Sequence, residues 1–228
     1  RVLPGGSDPE QFDVSLDGKH LYIANEDANL LSVVEVESGK IVAEVPTGGE
    51  PEGVRVTPDG KLAVVASETD HRLTLIDTAT NQIAGEVDVG KRPRDLVFSS
   101  DSKWAFVSAE IGGTVDVVDM TSLEKTRSIA LPKGSLPVGL VITRDDQRLF
   151  VANGRGKTIS EIDVATGEVV RTTEVGQRPW GIALSKDERT LYTANGPSND
   201  VSVIDVESFA VEDRIPVGNS PWGIVRSH

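Results

Sequence analysis

The chain contains no cysteine, which excludes disulfides, thiol nucleophiles and thiolate metal ligands but leaves the redox compartment open. Aromatic residues make up only 4% of the 228 residues. The three histidines, His20, His71 and His228, fall at unrelated phases of the pattern described below, and no pair has metal-ligand spacing. A Ser–His–Asp arrangement therefore has no placed base. No apolar run approaches the roughly 18 residues of a membrane span. No signal peptide is visible, although the chain begins at Arg1 without a Met, so a leader could have been removed. Positive charge is short as well: 23 Lys and Arg stand against 36 Asp and Glu, a formal net charge of −13. Such a surface repels nucleic acid and anionic lipid; it favours solubility and could attract a basic protein or a cation. The glycines at 112, 113, 154 and 156 lack the strand–GxGxxG–helix context of a nucleotide loop.

What the chain does have is a repeat. A proline recurs at Pro9, Pro51, Pro93, Pro137, Pro179 and Pro221, in steps of 42, 42, 44, 42 and 42 residues. A turn aspartate keeps the same register at Asp17, Asp59, Asp101, Asp145 and Asp187, and so does a closing acid at Glu35, Asp77, Asp119, Asp163 and Asp205. The two extra residues fall in LPKGSLP, between Asp119 and Pro137. Each unit reads as four short strands, A to D, joined by Gly/Asp/Asn/Ser turns. Strand A follows the Pro-x-Gly, as in Val54 to Thr57 and Ile182 to Ser185. Strand B is Leu62 to Ser67 or Leu191 to Asn195, strand C Leu73 to Asp77 or Val201 to Asp205, and strand D Ile83 to Val89 or Val211 to Val217. Asp17-Gly18 and Asp59-Gly60 suit the A–B turn, and Gly39, Gly90, Gly167, Gly176 and Gly218 are expected at positive φ. The two repeat-locked sets of acids read as turn and cap residues.

A four-strand unit of this length buries both faces only by stacking on like units, and the alanines of strand B (Ala24, Ala66, Ala109, Ala152, Ala194) suit close stacking. The expectation is an all-β fold, a β-propeller of four-stranded antiparallel blades. Its five repeats lie at about 9–50, 51–92, 93–136, 137–178 and 179–220, in one domain over 1–228, with an extra inner strand at 223–228. An open β-solenoid is the alternative; its coils are shorter and lack meander turns. Six A-type segments, the first at Phe12 to Leu16 and the last at Gly223 to Arg226, stand against five B–C–D sets. The opening LPGGSDPEQFDVSLDG also matches VPTGGEPEGVRVTPDG at 45–60, so the chain starts inside a repeat. Blades missing from the chain, or supplied by a second chain that completes the ring, are the expectation; five blades closing alone is the other outcome.

Structural demands repeat with the blade, whereas a binding surface need not. The residue after the repeat Pro reads Glu10, Glu52, Arg94, Val138, Trp180 and Trp222; the residue before Pro reads Asp8, Glu50, Arg92, Leu136, Arg178 and Ser220; the residue after strand B reads Glu26, Glu68, Glu110, Gly154 and Gly196. In a propeller these positions surround the mouth of the central channel, acidic on early blades and Trp/Gly-rich on later ones. Glu52, Arg94, Trp180, Trp222, Arg92, Arg178, Glu26, Glu68 and Glu110 are therefore the binding candidates, with the Trp pair expected to be exposed. The alternative is that the Trp rings plug the mouth as packing. Trp104 opens a B strand and reads as blade packing. Glu26, Asp27, Glu52 and Glu68 could hold a hard divalent cation, but EF-hand spacing is absent, and no catalytic residue, metal site or cofactor is assigned.

The pieces LYIAN, LFVAN and LYTAN, with VSVID and EVDVG or RIPVG, resemble the YVTN-type β-propeller repeat. The segments ANED, SSDSKWAFVSAEIGG, TANGPSNDVSVID and SPWG resemble more specifically the β-propeller proteins associated with quinone-cofactor (PQQ) dependent alcohol catabolism. The resemblance spans nearly the whole chain. It implies a seven-bladed, exported, periplasmic protein found with quinoprotein dehydrogenases and c-type cytochromes, of which this chain resembles the last five blades. It supplies no catalytic residue.

Three functions follow as expectations. The first is a non-enzymatic periplasmic ligand- or protein-binding scaffold linked to PQQ-dependent oxidation. The second is a propeller enzyme of lactonase, hydrolase or lyase type, with its site at the channel mouth. The third is a surface, adhesion or structural repeat module.

Overall fold

Short runs rich in Val, Ile, Leu and Thr, cut every few residues by Asp, Gly, Asn and Ser, leave no window long enough for a helix and many for a strand. In the computed structural model, which describes residues 2–225, all twenty regular elements are strands. The first blade is β1 (Pro9–Val14), β2 (His20–Asn25), β3 (Leu30–Glu35) and β4 (Lys40–Pro46). The second is β5 (Pro51–Val56), β6 (Leu62–Ser67), β7 (Arg72–Asp77) and β8 (Gln82–Asp88). The third is β9 (Pro93–Phe98), β10 (Trp104–Ala109), β11 (Thr114–Asp119) and β12 (Glu124–Ala130). The fourth is β13 (Pro137–Ile142), β14 (Arg148–Asn153), β15 (Thr158–Asp163) and β16 (Glu168–Glu174). The fifth is β17 (Pro179–Leu184), β18 (Thr190–Asn195), β19 (Asp200–Asp205) and β20 (Val211–Pro216). Each set of four forms one sheet in sequence order, the A–B–C–D meander read from the repeat.

The A strands differ from expectation in one way that matters for the site. They begin at the proline, ahead of the Pro-x-Gly's end. Pro9 pairs with Asn25, but the next pair is Phe12 with Ile23; the same slip separates Pro179–Asn195 from Ile182–Thr193. Proline has no N–H to donate, which suits the first residue of a strand, and the bulge behind it turns the x residue and the Gly aside. The candidate residues at x thus sit inside strand A, not in the loop before it.

The repeat-locked polar residues serve the turns. In the A–B turns Ser15, Thr57, Ser99, Thr143 and Ser185 donate to Asp17, Asp59, Asp101, Asp145 and Asp187 at 2.6–2.7 Å. In the C–D turns Asp77, Asp163 and Asp205 accept the backbone N–H of Thr80, Thr166 and Ser208 at 2.7–2.8 Å. The asparagine that ends strand B ties B to C: the buried Nδ2 atoms of Asn25, Asn153 and Asn195 donate to Ser32, Ser160 and Ser202 at 2.8–2.9 Å. Gly39 and Gly167 take positive φ as expected, but Gly90, Gly176 and Gly218 do not. Gly176 is small for another reason: a Cβ there would stand 2.6 Å from the Asn195 side chain.

The chain divides into two compact units, Arg1–Val107 with Asp116–Ser128, and Ser108–Val115 with Ile129–His228. In the first, one apolar cluster is built on Tyr22, Leu31, Val54 and Ile76, and another on Leu73, Leu75, Leu96 and Val107. In the second, Phe150, Ile159, Trp180, Leu191 and Ile204 form the core. Trp104, expected to pack between blades, is instead 38% exposed at the start of β10.

Within each unit, neighbouring A strands lie close because of the Gly in Pro-x-Gly. A Cβ on Gly53 would collide with the Arg94 carbonyl oxygen, and one on Gly139 with that of Trp180. A Cβ on Gly181 would meet the Ile224 nitrogen at 2.8 Å, and the Gly181 N–H donates to the Trp222 carbonyl at 3.0 Å. Residues 221–225 therefore lie on β17 much as β17 lies on β13. They form no strand. The extra strand expected at 223–228 is thus not formed over 223–225, and 226–228 lie outside the described residues.

Candidate functional site

The residue before each proline is held in the left-handed region: Asp8, Glu50, Arg92, Leu136, Arg178 and Ser220 have φ between 49° and 59°. For a side chain other than glycine this costs about 1–2 kcal/mol, so each kink needs a partner. Asn29 Oδ1 accepts the Glu50 N–H at 2.9 Å, and Asn199 Oδ1 accepts that of Ser220 at 2.8 Å. At the same repeat position His71 lies with its Nδ1 3.2 Å from the Arg92 nitrogen. His71 shares no phase with the other two histidines; its alignment with Asn29 and Asn199 is the sequence signal that identifies its role.

In the first unit the kinks bring five candidates together. Arg94, on β9, has Nη1 at 3.2 Å from Glu52 Oε2 and also pairs with Glu68 Oε1. Glu68 Oε2 lies 2.6 Å from Arg92 Nε. Glu52, Glu68 and Arg94 are only 6%, 3% and 7% exposed, so these candidates pair with one another out of solvent. Mutual pairing is what allows these charges to leave water. Burial pushes the Glu52 carboxyl up to about 7; Arg94 opposes this, and Glu10 and Glu26 add to it. Glu10 is pushed up to about 6, first by burial, then by a hydrogen bond to the Glu26 carboxyl and by its charge. The cluster read as Glu26, Asp27, Glu52 and Glu68 is also corrected: the carboxylates that converge within 4.8 Å of one another are Asp8, Glu10 and Glu26. Asp27 is exposed and outside that group. Among the described residues no other set of three His, Asp or Glu side chains meets at metal-binding distance.

In the second unit Trp180 is 8% exposed and belongs to the apolar cluster with Val138 and Ile182, which overturns its expected exposure. The close approach of β13 and β17 at Gly139 encloses the ring. Trp222 is 47% exposed and stacks on Trp180, with centroids 4.0 Å apart and planes at 30°. The Arg178 guanidinium lies 5.0 Å from the Trp180 centroid. The positions after strand B, glutamate in early blades, are Gly154 and Gly196 here; their N–H groups donate to the Leu136 and Arg178 carbonyls at 3.0 and 3.3 Å. Glu110 also falls in this unit, 3% exposed. A half-exposed indole backed by a second indole and a cation can stack a planar or aromatic group and accept a cation on its open face.

Repeated four-stranded antiparallel sheets, with the variation concentrated at the starts of the A strands, define a β-propeller. More particularly, the chain belongs to the YNCE-like beta-propeller family, whose model matches residues 1–101 and 92–227. Among solved structures, the chain is similar to a chain of Kuenenia stuttgartiensis hydrazine synthase, with a TM-score of 0.71 and 19% identity over 98% of this chain and 90% of that one. At that identity the likeness shows the fold alone. No curated protein matches the sequence.

Proposed function

We propose that the protein is a non-enzymatic β-propeller that binds a ligand or partner protein through the starts of its A strands. It acts in the periplasm or another exported location, in the service of PQQ-dependent oxidation. The observation that carries the binding reading is the Trp180–Trp222 stack: one ring is fixed in the core and the other leaves 47% of its surface open at a position where the repeat demands no aromatic. An anchored aromatic with one open face is the usual centre of a recognition patch. The oxidative setting rests on the resemblance of ANED, SSDSKWAFVSAEIGG, TANGPSNDVSVID and SPWG. A quinoprotein dehydrogenase or a c-type cytochrome is the partner that resemblance suggests. The buried Arg94–Glu52–Glu68 cluster gives the first unit a second non-repeating feature, of opposite chemistry.

The test is titration of the purified protein with a PQQ-dependent alcohol dehydrogenase and with its c-type cytochrome, followed by calorimetry. Saturable binding to either one, weakened about tenfold or more by Trp222→Ala, supports the reading. Binding to neither, or binding indifferent to Trp222, sinks it.

A further inference from the structure

The fourth blade breaks the repeat in the middle of a sheet. The central residue of strand C is Val33, Leu75, Val117 and Val203 in four blades and Glu161 in the fourth. Glu161 is 5% exposed, so a carboxylate occupies a site that other blades fill with hydrocarbon. Arg148 Nε and Arg171 Nε each lie 2.6 Å from one of its oxygens. Each arginine also covers a ring, Arg148 at 5.0 Å from the Phe150 centroid and Arg171 at 4.8 Å from that of Phe209. A buried ion triad is commonly no more stabilising than apolar residues of the same volume, and the other four blades carry Val or Leu at this position.

What the triad does is fix a turn. Arg148 Nη2 and Arg171 Nη2 donate to the Val206 carbonyl at 2.8 and 2.9 Å, and Arg171 Nη1 donates to the Glu207 carbonyl at 2.6 Å. Those carbonyls belong to the turn between β19 and β20. That turn walls a half-open cavity of about 540 Å³ lined by Arg148, Glu188, Arg189, Asp205, Val206 and Glu207. The cavity lies at the other end of β17 from Trp180.

Its charges are mostly committed. Glu188 pairs with Arg144 at 3.4 Å, and Asp205 accepts the N–H and hydroxyl of Ser208 at 2.7 Å. Among the described residues neither the Arg189 guanidinium nor the Glu207 carboxylate stands within 4.0 Å of an opposite charge, although the Arg189 charge helps hold the Asp187 carboxyl below its ordinary value. A simple anion drawn to Arg189 would face Glu207, and a simple cation drawn to Glu207 would face Arg189. A ligand carrying both charges satisfies both. We propose that this cavity binds a small zwitterion of the amino-acid or short-peptide class, its carboxylate on Arg189 and its ammonium group toward Glu207, with the Glu161 triad holding the wall in place.

The experiment is calorimetric titration of the full chain with L-glutamine, dialanine, N-acetyl-dialanine amide, succinate and putrescine. The zwitterions glutamine or dialanine bind saturably, and whichever binds more tightly distinguishes amino acid from peptide. The blocked peptide, the dianion and the diamine do not bind. Arg189→Gln and Glu207→Gln each weaken the zwitterion by about tenfold or more, as loss of one charge-assisted contact should. Both side chains are exposed, so the melting temperature stays unchanged and a folding defect is not mistaken for a lost site. Absence of saturable binding at millimolar zwitterion, equal binding of succinate or putrescine, or indifference to both variants overturns the proposal. None of these outcomes bears on the Trp222 patch, whose test uses different ligands.

Discussion

Trp180 and Trp222, one repeat apart in the sequence, lie with their ring centroids 4.0 Å apart, the first 8% and the second 47% exposed. The two indoles therefore have different duties. Trp180 is part of the core with Val138 and Ile182, so Trp180→Ala leaves a cavity and should cost about 3–5 kcal/mol. Trp222→Ala removes a half-exposed ring and should cost well under half of that. Urea denaturation of the two variants measures both. Equal losses would mean that Trp222 is packing as well, and would remove the basis for a recognition role.

The glycine of Pro-x-Gly is a spacing device. Gly53 and Gly139 stand where a methyl would strike the carbonyl oxygen of the next A strand, at Arg94 and Trp180. A backbone oxygen cannot rotate away, so Gly53→Ala and Gly139→Ala should each destabilise by about 1–3 kcal/mol, the range for overpacking. Gly18→Ala meets no atom within 4 Å but sits at φ 71°, so it should cost about 1–2 kcal/mol through conformation alone. Urea denaturation of the three variants measures the losses; a negligible loss at Gly53 or Gly139 would mean that the neighbouring A strand gives way without cost.

The period, the strand order and the turn aspartates were legible because each is a local demand met five times. A serine or threonine two residues before an aspartate closes the same turn wherever it occurs. The site was legible only as a set of positions. Which end of which strand carries Glu52, Arg94 or Trp180 follows from the repeat, but their burial does not, since it depends on how closely Gly53 and Gly139 draw neighbouring A strands together. His71 was hidden for a different reason: its role is that of Asn29 and Asn199, and a change of residue type masks a repeat that only the shared acceptor atom reveals. Glu161 is visible in the sequence as an acid in an apolar column. It gains meaning only when Arg148 and Arg171 arrive from adjacent strands of the same sheet.

Glu52 makes the stability of the protein depend on pH in an unusual direction. Its carboxyl is raised from 4.5 to about 7 in the folded protein. Between those values the folded state binds more protons than the unfolded one, so stability falls as pH rises, which is opposite to the usual depressed carboxylate. The contribution is fully present below about pH 4.5 and gone above about pH 7, and amounts to about 3 kcal/mol at most. Glu10, raised to about 6, acts in the same sense. Glu52→Gln should gain stability relative to the parent chain as pH is raised from 4.5 to 7.5. A constant or declining difference across that window would mean that Arg94 holds Glu52 ionised throughout.

His71 provides the sharpest check on the kinked residues before proline. Arg92 sits at φ 59°, and its N–H points at His71 Nδ1, 3.2 Å away. Asn29 and Asn199 perform the same task with Oδ1 at 2.9 and 2.8 Å. The same Nδ1 stands 2.7 Å from the Glu68 carbonyl and cannot donate there while accepting from Arg92. With Nδ1 as the acceptor, His71→Asn should change stability by no more than a few tenths of a kcal/mol, because an acceptor is restored at the same place in the turn, and His71→Ala should cost about 1–2 kcal/mol. Chemical denaturation of the two variants separates the cases. If His71→Asn proves as costly as His71→Ala, the imidazole contributes through its contact with the Glu68 carbonyl, 2.7 Å away, and the equivalence with Asn29 and Asn199 fails.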